Sequence, residues 1–119
     1  MVWAPISEEG LSKLIANAVF GMKPPARELW MLIRVKPAKW ECHPWGDEGG
    51  GFWVVGILGK QVVWYNDIEE GFNISYYNTH GVIAEYWCNQ DELQHTMSAL
   101  LIQIQSGKRP EKWGPPHPP

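Results

Sequence analysis

One hundred and nineteen residues, 45% hydrophobic and 19% charged, fit one ordered domain with a single core and exclude a disordered chain. No apolar run approaches the roughly 18 residues of a membrane helix, and M-V-W-A-P-I-S-E-E lacks both the basic start and the apolar core of a signal peptide. Net charge is −3, but residues 41–92 hold nine acids against the single Lys60, a local balance of −8 that disfavours nucleic acid and suits a basic protein.

In chain order, Ser7 can cap a helix, and Glu8 and Glu9 suit the positive end of its dipole. Leu11, Leu14, Ile15, Ala18 and Val19 recur at helical spacing, and Gly21 followed by Pro24-Pro25 ends the run. Residues 29–35 alternate Leu29, Met31, Ile33 and Val35 against Trp30, Leu32 and Arg34, which predicts a first strand. The competing reading is a helix over 25–33, since Leu, Met, Arg and Glu favour helix. Residues 37–51 read as a loop carrying Trp40, Trp45, Asp47 and Glu48 before three glycines, and loops of this length are often functional.

Phe52 to Leu58 and Gln61 to Asn66 are rich in β-branched and aromatic residues, and Gly59-Lys60 between them suits a two-residue hairpin turn. Asp67 to Gly71 is an acidic corner, and Phe72 to Tyr77 alternates as a half-buried strand. A turn at residues 78–81 leads to a fifth expected strand, Val82 to Trp87. Asn89 with Glu92 resembles a capping box for a final helix, whose stripe is Leu93, Met97, Leu100, Leu101 and Ile104 and whose end is Gly107. The tail 108–119 holds five prolines and is expected to be extended and flexible.

The expected fold is α+β over residues 1–107: a two-layer sandwich of a five-stranded antiparallel meander with the N- and C-terminal helices on one face. The other sheet face would then be left without a helix and free for binding. The cytoplasm is the expected location, with Cys42 and Cys88 reduced.

Catalytic and metal signatures are missing. D-I-E-E-G-F-N lacks the ligand spacing of an EF-hand loop, and neither C-x-x-C nor H-x-x-x-H occurs. G-x-S-x-G, P-loop and G-x-G-x-x-G patterns are also absent, so no enzyme activity, cofactor or metal is expected. Were there an enzyme, Asp67 or Glu69 would have to lie buried in a cleft with a raised pKa.

The segments W-Y-N-D-I-E-E-G-F-N and E-Y-W-C-N-Q-D-E-L resemble those of small uncharacterised bacterial proteins. In general character, a short acidic Trp-rich α+β domain without catalytic motif is similar to immunity proteins of bacterial toxin systems. That resemblance implies binding and blocking a cognate toxin, often a basic nuclease; it carries over no residue roles. The expected partner-binding residues are Trp40, Trp45, Asp47, Glu48, Tyr65, Asp67, Glu69 and Glu70. The alternative is a small-ligand module whose pocket would be lined by Trp40, Trp64 and Tyr65.

Overall fold

A computed structural model describes residues 4–108. Ser7 caps α1 (Glu8–Phe20), its side chain accepting from the Gly10 amide, and Gly21 closes the helix. The next element is not the strand expected at 29–35. Residues Pro24–Ile33 are α2, and the chain passes from it directly into β1 (Arg34–Trp40). Two prolines at the first helical positions pre-set φ without losing a needed donor. Ala26, Trp30 and Ile33 then fall on one buried stripe. The apolar spacing that matters is thus i, i+4, i+7, and the alternation across 29–35 is coincidental.

β1 also claims the first residues assigned to the loop. Trp40 pairs with Phe52 and Lys39 with Trp53, and Pro37 is tolerated because β1 is an edge strand. After one 3-10 turn at Asp47–Gly49 come β2 (Phe52–Leu58), β3 (Gln61–Asn66) and β4 (Gly71–Tyr76), and then α3 (Leu93–Ser106). Gly59 takes φ 59° in the two-residue turn between β2 and β3, as that hairpin requires. The sheet has four strands in the order β1-β2-β3-β4, all neighbours antiparallel.

The expected fifth strand does not form. Residues 82–87 belong to a strap, residues 77–92, that touches the sheet through single bridges, Glu41 to Val82 and Phe72 to Asp91. Its backbone is held by scattered backbone bonds, such as Ala84 N to the Tyr76 carbonyl at 3.1 Å, and by side chains of β3 and β4, so no ladder is built. Ser75 Oγ donates to the Glu85 carbonyl at 2.8 Å and Asn66 Nδ2 to the Trp87 carbonyl at 2.9 Å. Asn73 Oδ1 accepts from the Asn89 amide at 3.0 Å. The expected cap residues are therefore occupied elsewhere: Asn89 binds Asn73, the Asp91 carbonyl accepts from Phe72, and α3 is capped at Glu92.

The three helices lie on one face of the sheet. Gln103 of α3 bonds to Gln61, Ile33 of α2 packs on Gly56, and α1, α2 and Val55 line one groove. The opposite face is not bare. Phe52, Val54, Trp64 and Val62 project there and are buried under the strap and residues 41–51. Trp64 is 0% exposed and donates to Ser75 Oγ at 2.8 Å. Tyr86 of the strap packs on Phe52 and Trp64 at 6.1 Å each, and Trp45 stacks on Tyr86 at 4.4 Å. Helices cover one side and irregular chain the other. The free docking face expected from sequence does not exist, because the large apolar side chains Phe52 and Trp64 on that side are buried under Tyr86 and the rest of the cover. Among the described residues no helix is long and apolar enough to cross a membrane. Beyond Lys108, the Pro-rich tail lies outside the described residues.

Candidate functional site

The acidic corner is built by Asn66. Its Oδ1 accepts from the amides of Ile68 at 3.0 Å and Glu69 at 3.2 Å, an Asx-type turn, while its Nδ2 ties the same corner to the strap. The chain leaves this turn through Glu70 at φ 59°, a left-handed conformation that Gly or Asn adopts more cheaply. Gly71 comes next because nothing larger fits: a Cβ there would lie 2.1 Å from the Asn89 carbonyl oxygen.

This geometry aims Glu70 over a cleft of about 170 Å³ between α1, the corner and the start of α3. Its apolar wall is Leu14, Ala18, Phe72 and Leu93; its polar members are Asn17, Tyr65, Glu70, Asp91 and Glu92. Tyr65 is 7% exposed, and its ring packs on Phe72 at 4.8 Å. Burial pushes the Tyr65 phenol above its ordinary pKa, and the charges of Glu70 and Asp67 push it further.

The sequence-expected residues divide into three groups. Trp40 is buried, packed on Tyr77 at 5.0 Å and on His80 at 4.7 Å. Trp45 is half-buried as part of the cover over the sheet, and Asp47 beside it pairs with His43 Nδ1 at 2.5 Å while Glu48 is exposed. Asp67, 9% exposed, is a latch: its Oδ2 accepts from the Ile6 amide at 2.9 Å, and Trp53 Nε1 donates to the Ile6 carbonyl. Burial raises the Asp67 carboxyl pKa, opposed by the Ile6 amide and by the charge of Lys39. Asp67 does not line the cleft. Of the expected set, the cleft gathers Tyr65 and Glu70, and Glu69 borders Tyr86 on the strap side, where it raises that phenol's pKa behind the larger effect of burial.

Trp40, Trp64 and Tyr65 do not line a common pocket. Trp64 and Tyr65 are consecutive in β3 and face opposite sides of the sheet. A larger groove, about 490 Å³, opens elsewhere, between α1, α2 and β1, floored by Ile15, Val19, Trp30 and Val55 with Met31 and Val35 at its lip. Sequence reasoning missed Asp91 and Glu92 as site residues because a helix start already explained them. Their only signal is a second acidic pair in the −8 segment. No family model matches the chain, and neither the curated proteins nor the solved structures contain a match to it.

Proposed function

We propose that the protein is a non-catalytic binding domain of the inhibitor or immunity type, acting in the cytoplasm on a basic protein. The supporting observation is electrostatic. Glu41, Glu48, Glu69, Glu70, Asp91 and Glu92 are at or near the surface, and none has an ion-pair partner among the described residues. Unpaired carboxylates repel one another and burden the fold, yet they create the field that steers a cationic partner. With the sheet faces closed, this acidic surface replaces the bare face as the ground for the reading. A cytoplasmic setting fits the two free thiols, Cys42 and Cys88.

The test is neutralisation. Co-expression with a growth-arresting product of an adjacent gene restores growth, and the purified pair associates at least about tenfold more slowly when salt rises from 50 to 500 mM. Failure to restore growth together with absence of binding overturns the proposal. A second reading is favoured by one observation, the apolar groove between α1, α2 and β1. Its volume of about 490 Å³ falls in the range of roughly 300–1,000 Å³ typical of small-ligand sites. Saturable shifts of the Met31 methyl resonance on adding a medium-chain fatty acid, insensitive to salt, would favour that reading.

A further inference from the structure

We propose that the cleft beneath Glu70 accepts one lysine or arginine side chain of a protein partner. Its methylene stem lies on Leu14 and Phe72, and its cationic head meets Glu70, Asp91 and Glu92. This rests on the reading that the partner is a basic protein and names how that partner is gripped.

Size comes first. At about 170 Å³ the cleft is well below the roughly 300 Å³ at which small-molecule sites begin, but a single long side chain suits it. The chemistry of the wall points the same way. Lysine and arginine carry an apolar stem and a charged head, and both need a greasy floor with acids at its rim. The Tyr65 and Phe72 rings add faces on which a cation is attracted.

A third observation points to a ligand independently of the acids. Tyr65 lines the cleft at 7% exposure, and its hydroxyl has no hydrogen-bond partner among the described residues. Its oxygen keeps contact with solvent, so it is free to accept an N–H of a cation entering the cleft. The positive end of α3 opens into the same cleft, since Glu92 is its cap. That end is equivalent to about half a charge, which three carboxylates outweigh. Nor do the acids suit a metal: among the described residues no three His, Cys, Asp or Glu side chains are grouped so as to hold one. Glu70, Asp91 and Glu92 all line the cleft, so a cation entering it meets negative charge.

Three end-capped tripeptides, Gly-Arg-Gly, Gly-Lys-Gly and Gly-norleucine-Gly, are titrated into the full chain and followed by heteronuclear NMR. The arginine or lysine peptide is expected to shift the Leu14 and Leu93 methyl and Tyr65 ring resonances saturably, with a Kd of order millimolar, and the norleucine peptide to leave them unmoved. Glu70→Gln and Asp91→Asn weaken binding about three- to tenfold each, and Tyr65→Phe, which keeps the ring, weakens it about threefold. Shifts of equal size with norleucine, no saturable shift with either cation, or full affinity in Glu70→Gln would each overturn the proposal. The two readings fail separately. A basic partner that binds Glu70→Gln and Asp91→Asn as tightly as the parent removes the cleft and leaves the inhibitor reading standing. Tripeptide binding in the cleft without neutralisation does the reverse.

Discussion

Glu70 is the residue where local preference and observed geometry disagree. Its φ of 59° costs a residue with a Cβ about 1–2 kcal/mol relative to the right-handed region. Glycine escapes that cost and gives back about 0.5–1 kcal/mol through its freer unfolded chain. Glu70→Gly should therefore stabilise the fold by about 0.5–1 kcal/mol, read as a higher urea midpoint with an unchanged slope. A less stable Glu70→Gly variant would mean that the carboxylate makes a structural contact, which would remove it from the candidate site. Asn66, four residues earlier, is different. It spends its whole amide on the turn and the strap, so its place is set by folding alone. A sequence shows both as polar residues of one corner; only the hydrogen bonds separate the scaffold residue from the strained one.

At the level of elements, the strap is the least regular part and the most specifically anchored. It crosses β4 so closely that a Cβ on Gly71 would stand 2.1 Å from the Asn89 oxygen and 2.3 Å from the Gln90 Cα. Both are backbone atoms, which cannot rotate away. Gly71→Ala should cost about 3 kcal/mol, the upper end of what overpacking removes, because lifting the strap also strands the Asn73 amide and the Asn89 backbone. Thermal denaturation measures it, and a loss under about 1 kcal/mol would show that the strap gives way easily. The same strap explains why Val82 to Trp87 has the look of a strand without being one. Alternation requires one exposed face, whereas Ile83, Tyr86 and Trp87 are all buried. The strand expected at 29–35 fails for a parallel cause. Apolar residues at nearly every position satisfy a period of two and a period of 3.6 alike, and the proline pair before them is the better guide.

For the whole molecule, sealing of both sheet faces has a chemical readout in the two thiols. Cys42 is buried within the 41–51 cover, and Cys88 is exposed on the strap. Burial, with a smaller contribution from Asp47, pushes the Cys42 thiol up to about 12 from 9.0. At pH 8 a thiol reagent should modify Cys88 promptly and Cys42 only through global unfolding. Mass spectrometry would show one adduct forming well before the second, and two adducts at one rate would mean that the cover opens freely. Stability is linked to the same ionisation. A raised folded pKa means the neutral thiol's contribution is complete below pH 9 and declines as pH climbs from 9 towards 12, where the unfolded thiol ionises first.

From the order of residues alone came the N- and C-terminal helices, the β2–β3–β4 meander with its glycine turn, and the excess of acid between residues 41 and 92. These are properties of near neighbours: capping, periodicity and turn geometry act over a few residues. Tertiary structure alone decided that Trp40 and Asp67 are internal, that the strap closes the second sheet face, and that Glu70, Asp91 and Glu92 line one cleft with Tyr65. Those facts depend on which chain segments compete for the same apolar surface, and no local pattern records the winner.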